Sequence, residues 1–440
     1  MTPGRFLLLH PPRVVGGRRV QVAFSHSQDL GRYFRTSVIE TVYDTDVREV
    51  SSALLVIPAL GTLAPICWAA GAELRIPCVD AAFFETLHRV AAKLAEFYPQ
   101  LSWSVRMRAE RIYPNEIPGN GVGLLFSGGV DSLASFVLHH AEKPHLIMVH
   151  GADLELRRER LWIRAVHSAR RFANSAAVPL HTIRSTFRQA LQYGALNADF
   201  ARHLLRRSWW ADVQHGLALL SLLAPLSARH GLTRILIASS LARTERLPLG
   251  SHAELDSLVA WGNVRVAHDG DVFSRYEKIR RLIRPYFEQA PIKPTLRVCL
   301  SDPPAPWLNC GRCEKCARTM VALLLEGMDP RACGFPYGPR TLPRIRWRFL
   351  RGEFHLTPAL LIHWRELQRS VDPPKPTWGP SEREFFAWLR EADLEALLAR
   401  ARAHQDSSTR TGWGGSIRRA VRRAYLAARE LPYVLRPGRP

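Results

Sequence analysis

At 440 residues with 47% apolar side chains, the chain is long enough for two or three domains with ample core. A formal charge of +22 invites an anionic partner such as nucleic acid, but only six of the 61 basic residues are lysines. That arginine bias looks like coding bias and blunts the inference. Seven cysteines, four of them bunched, exclude a disulfide-built fold and point to a reducing, cytoplasmic setting.

Residues 1–118 read as a small α+β domain, with strands at 21–24, 54–57 and 74–76 and an amphipathic helix at 82–97. The apolar run 6–9 is too short for a secretion signal. Residues 51–72 carry no charge over a length that could span a bilayer. Pro58, Gly61, Pro65 and Gly71 interrupt that run, which reads better as a strand, a turn and a buried helix; no membrane span is expected. The turn-rich stretch 113–119 closes the domain.

Residues 122–126 are an apolar strand that breaks into Ser127, Gly128, Gly129, Val130, Asp131 and Ser132 before helical spacing resumes at Leu133, Phe136 and Val137. A strand–glycine–helix transition presents free backbone N–H groups to an anion. Ser127 and Ser132 add hydroxyl donors, and Asp131 is suited to hold a Mg²⁺ that meets phosphate. No Lys-Ser/Thr follows as in a Walker loop, and the third glycine of a dinucleotide fingerprint is missing.

Beyond the loop, elements alternate. A strand at 146–150 ends in Gly151 and Asp153; a basic helix at 162–173, a strand at 180–183, an apolar helix at 213–228 and a strand at 234–238 follow. This alternation predicts a doubly wound parallel sheet with ligands at the carboxyl ends of its strands. Residues 250–278 are polar and irregular. Within them Arg275 and Lys278 suit stabilisation of phosphoryl charge, and His252 or His268 suits a general base. The competing reading is a capping box, Ser274 to Glu277, with Arg275 and Lys278 on a solvated face.

Cys310, Cys313 and Cys316 form two C-x₂-C steps, with Cys299 eleven residues upstream. Four thiolates at this spacing match a coordinatively closed, structural Zn²⁺ site. A helix at 317–325 is expected to start at the last ligand. Free thiols or a redox role are the alternatives, and Cys67, Cys78 and Cys333 read as buried thiols. Residues 335–378 read as helices and loops covering the core. Ser381 and Glu384 predict a capping box before a helix through Ala403. A linker at 404–416 and a basic amphipathic helix at 417–429 end the chain; the latter suits a phosphate backbone or an acidic membrane surface, or is a solvated tail.

The hexapeptide from Ser127 to Ser132 resembles the pyrophosphate loop of the N-type ATP pyrophosphatases. With the cysteine knuckle, the chain is similar to their 7-cyano-7-deazaguanine synthase branch over about residues 120–330. The resemblance implies an adenine nucleotide α-hydrolase-like sheet and an enzyme that cleaves ATP between the α and β phosphates. It implies adenylation of a carboxylate or carbonyl oxygen, then attack by a nitrogen nucleophile. Ser127, Gly128, Gly129, Val130, Asp131 and Ser132 would hold phosphate, with Gly151 and Asp153 near adenine. Long extensions on both sides depart from the family's single compact domain and leave the acceptor open. The rival readings are an enzyme that modifies a tRNA base, and a non-catalytic ATP-binding component of a multi-protein system. A second copy of the chain, or proteins encoded beside it, are the expected protein partners.

Overall fold

The computed structural model describes residues 4–410 except Arg246, Pro291, Leu300, His355 and 372–377. The basic segment 417–429 lies outside the described residues.

Five parallel strands form the heart of an α/β fold. Gly121–Leu125 is central; His145–His150 and then Leu180–Ser185 lie to one side, Leu232–Ala238 and then Val264–Asp269 to the other. Both faces of this block are apolar because both are covered. Along His145–His150, Leu146 and Met148 enter one core cluster, while Ile147 and Val149 pack in the other. Strand order reverses at Gly121–Leu125, so a crevice opens at its carboxyl end. That is where residues 127–132 lie.

The sheet does not stop at the expected boundary. Leu180–Ser185 pairs antiparallel with Val38–Tyr43, matching Ile183 to Tyr43. The strands Arg19–His26, Phe6–Leu9, Glu73–Ile76 and Arg106–Ala109 continue it, giving twelve strands in all. A buried hydrogen bond between the hydroxyls of Thr41 and Ser185, 2.9 Å, crosses the seam.

Four local expectations are corrected. Residues 54–57 are helical, not a strand: Ser52–Leu55 is capped by the Ser51 hydroxyl, and Ile57–Ala70 follows with proline in its first turn. The helix Ile57–Ala70 is nearly all buried in protein. A Cβ on Gly61 would fall 1.9 Å from the Ser221 hydroxyl, so glycine is what lets this helix approach His215–Ser221. Among the described residues no helix is long and apolar enough to cross a membrane.

The expected helix 213–228 is instead a π turn, Trp210–Gln214, and two short helices, His215–Ser221 and Ala224–His230. Pro225 sits in the first turn of the last one, where its missing N–H costs nothing. Residues 317–325 belong to a helix that begins at Glu314, with Cys313 at its N-cap. Finally, residues 381–403 are two helices, Pro380–Glu391 and Leu394–Arg410. Ser381 bonds to the Pro339 carbonyl and Glu384 to Arg346, so neither caps. Asp393 accepts the Ala396 N–H at 3.0 Å instead, and the second helix runs through residues 404–410 of the expected linker.

Candidate functional site

The loop takes its shape from Gly128, at φ +74°, and from the two serines. The Ser132 hydroxyl accepts the Ser127 N–H at 3.2 Å, and the Ser127 hydroxyl accepts the Gly129 N–H at 3.2 Å. Gly129 is the N-cap of the helix Val130–His139, with no side chain to satisfy the first amides. Those free N–H groups and the helix dipole face the crevice end of the sheet. Arg297 braces the loop from outside: its N–H donates to the Gly128 carbonyl at 2.7 Å and its Nε to the Ser127 carbonyl at 3.0 Å.

Asp131, in the first turn of that helix, meets cations from the helix Arg275–Lys278. Arg275 holds it through two bonds of 2.6 and 3.2 Å, and Lys278 Nζ stands 3.5 Å away. Burial alone would raise the Asp131 pKa, but Arg275 and Lys278 overcome it and hold the carboxyl well below its usual range. Lys278 is 1% exposed, and burial lowers its pKa against the pull of Asp131. Its Nζ also donates to the Ser239 carbonyl at 2.5 Å. The capping box is present, Ser274 to Glu277. Arg275 and Lys278 nonetheless turn inward, because the capped helix packs on Val130–His139 and not on solvent. Of the capping reading, the cap forms and the solvated face does not.

The four cysteines converge. All four sulfurs lie within 4.8 Å of one another, with Cys299 and Cys313 at 3.9 Å and Cys310 and Cys316 at 3.8 Å. Zinc–sulfur bonds of about 2.3 Å place tetrahedral sulfurs about 3.8 Å apart. The N–H groups of Ser301 and Cys313 point at the sulfurs of Cys299 and Cys310, each at 3.3 Å. Gly311, at φ +66°, makes the knuckle; a Cβ there would meet the Pro336 ring at 2.7 Å. Asn309, fully buried, accepts the N–H groups of Val298 and Cys299 and donates to the carbonyls of Leu296 and Gly334. The donor set fits a structural metal such as zinc.

The knuckle also supplies charge to the loop, which sequence reasoning missed. Lys315, between two ligands, feels Arg275 on one side and the carboxylates of Asp153 and Asp131 on the other; burial and Arg275 lower its pKa. Arg318, one turn on, is 4% exposed and paired with Glu314, and burial draws its pKa down to about 10. Its Nη1 has no hydrogen-bond partner. The signal was present: Lys315 lies inside the metal motif and Arg318 two residues beyond its last cysteine.

Gly151 and Asp153 follow the strand His145–His150. Gly151 has φ +108°, and a Cβ would strike the Ser185 carbonyl at 2.0 Å. Asp153 lies 3.8 Å from His215 and accepts the Trp210 indole N–H at 3.3 Å. Burial opposes its ionisation, but His215, Lys315 and Arg188 keep its pKa far below normal.

His268 is set apart from Asp131, on the wall of a cavity of about 600 Å³ that Ser239, Ser251, His252 and Arg243 also line. Its Nδ1 is 2.8 Å from Asp256, a fully buried carboxylate that also accepts the Ser251 hydroxyl at 2.7 Å. Ser239 joins cavity and loop, since its carbonyl receives Lys278. No protein-family model, curated protein or solved structure matches this chain.

Proposed function

We propose that the protein is an ATP-dependent, AMP-forming enzyme of the pyrophosphate-loop type, similar to the 7-cyano-7-deazaguanine synthases, acting on an acceptor of its own. One observation carries this reading: Arg275, Lys278, Lys315 and Arg318 gather among the carboxylates of Asp131, Asp153 and Glu314, beside a glycine loop at the sheet's switch point. Such a concentration of buried cations beside free loop amides suits a polyphosphate, whose oxygens can replace carboxylates as their partners.

In this reading the loop amides and the hydroxyls of Ser127 and Ser132 hold the β and γ phosphates. Asp131 would hold Mg²⁺, which would supply positive charge beside the departing pyrophosphate. Arg275 and Lys278 exchange Asp131 for phosphate oxygens as nucleotide enters. Gly151 and Asp153 border the nucleoside. An acceptor oxygen in the cavity beside Ser239 attacks the α phosphorus, forming an O–P bond as the bond to pyrophosphate breaks. A nitrogen nucleophile then adds at the activated carbon and AMP leaves. His268, aligned by Asp256, takes the proton that the nucleophile loses. Cys299, Cys310, Cys313 and Cys316 would hold a structural zinc that fixes the segment carrying Arg297 and Lys315 near the loop, with no part in bond making.

The net charge of +22 supports a second reading, with a tRNA base as acceptor. ATP labelled in the α phosphate, incubated with pure protein, Mg²⁺ and candidate acceptors, should yield AMP and pyrophosphate. Formation of ADP overturns the proposal. Salt-sensitive tRNA binding with tRNA-dependent AMP release selects the second reading, and tight ATP binding without turnover for any acceptor selects a nucleotide-sensing component.

A further inference from the structure

The amino-terminal edge of the parallel sheet, opposite the glycine loop, carries three histidines that the function above does not use. His145 opens the strand His145–His150; His181 lies in the neighbouring strand Leu180–Ser185, opposite Ile147; His230 ends the helix Ala224–His230. We propose that His145, His181 and His230 form a second metal site, which takes a borderline divalent cation, Zn²⁺ foremost.

The ligand atoms of the three side chains all lie within 4.8 Å of one another. His145 Nδ1 and His181 Nε2 are 3.0 Å apart. Metal–imidazole bonds of about 2.0–2.1 Å set neighbouring nitrogens roughly 3.0–3.4 Å apart, so this pair needs little adjustment. His230 Nε2 is buried and has no hydrogen-bond partner, although buried polar atoms are normally satisfied. The rings of His181 and His230 are 4.2 Å apart between centroids.

Asp44 supplies the outer support such sites use. One of its carboxylate oxygens accepts the Thr182 N–H at 2.7 Å, and the other stands 3.6 Å from His181 Nδ1. A carboxylate beside one ring nitrogen favours the proton there and leaves the lone pair of the other, Nε2, facing His145. Three imidazoles with a water in the remaining position suit zinc, nickel or copper and not magnesium or calcium. The His181 side chain is 12% exposed, which leaves a route for ions.

The position gives the site a role. Asp44 directly follows Val38–Tyr43, the strand that joins the antiparallel half of the sheet to the parallel half. A cation here ties that seam to the helix leading into Leu232–Ala238. It is a brace, far along the strands from the phosphate loop, and its existence is independent of whether the protein splits ATP.

Tag-free, full-length protein should be saturated with Zn²⁺, freed of excess ion by gel filtration and assayed by plasma mass spectrometry. Two zinc ions per chain are expected in the wild type and one in His181→Gln/His230→Gln. Cobalt separates the sites: thiolate charge-transfer bands report the cysteines, and weaker ligand-field bands without sulfur character report the histidines. The latter should vanish in the double variant and persist in Cys310→Ser. Excess Zn²⁺ should raise the melting temperature of the wild type and leave the double variant unmoved. Single His230→Gln serves where the double variant does not fold. One zinc per chain in the wild type, with no thermal response to excess, means that the rings form only an N–H···N chain and overturns the proposal. So does a second zinc retained when the histidines are replaced.

Discussion

Replacing Asp131 with asparagine tests the electrostatic core of the site. Asn keeps the shape and removes the charge. Arg275 and Lys278, 14% and 1% exposed, then lose their nearest counter-charge and keep only the more distant carboxylates of Glu314 and Glu245 for Arg275 and Asp269 for Lys278. Breaking a fully buried pair costs about 3–5 kcal/mol; since Asp131 is itself 22% exposed, about 2–3 kcal/mol is expected here. At about 2–4 °C per kcal/mol for mid-sized domains, the melting temperature should fall by about 4–12 °C. Inorganic pyrophosphate carries the missing negative charge. It should therefore stabilise the variant more than the wild type, and without Mg²⁺.

The pH dependence of the same substitution has a definite sign. The folded pKa of Asp131 is depressed, so its contribution is present above the unfolded value of about 4 and is lost as pH falls through the folded value. The variant should lack this part of the acid limb. Scanning fluorimetry from about pH 3 to 8, with and without pyrophosphate, reads both effects. A variant that melts with the wild type at neutral pH and shows no preference for pyrophosphate would falsify the reasoning.

Four further outcomes are expected. Cys313→Ser should release the knuckle metal and weaken nucleotide binding with it, measured by metal content and calorimetry, because Arg297 and Lys315 are held by that segment. Lys315→Met should weaken ATP binding about tenfold or more at unchanged zinc content; unchanged affinity would place Lys315 outside the phosphate field. Gly151→Ala should cost more than about 3 kcal/mol or prevent folding, since both its φ of +108° and the Ser185 carbonyl at 2.0 Å exclude a Cβ. His363, buried and pressed by Arg318 and Arg275, has its pKa pushed down to about 2. Below about pH 6.5 the unfolded chain takes a proton that the folded one refuses, so His363→Leu should flatten the loss of stability between about pH 6.5 and 4.

The sequence alone placed the loop Ser127–Ser132, the four cysteines and the alternation of strands around them, because each is local. A glycine pair after an apolar run is a turn, short C-x₂-C steps are a knuckle, and apolar strands followed by amphipathic helices can bury both faces only in a layered fold. It also held the capping box at Ser274 and Glu277. Whether Arg275 and Lys278 met water or Asp131 was beyond it, since that depends on which helix packs against the capped turn. Residues 54–57 are helical for a similar reason: an uncharged run suits a buried helix as well as a strand, and the choice rests on the Ser51 cap and on what packs around it.

Only the tertiary structure joined Val38–Tyr43 to Leu180–Ser185, drew Lys315 from the knuckle toward the loop and assembled three histidines from three elements. Local sequence fixes backbone angles and the side on which a residue is apolar. Which charges become neighbours is fixed by strand order and helix packing, and those depend on contacts between residues far apart along the chain.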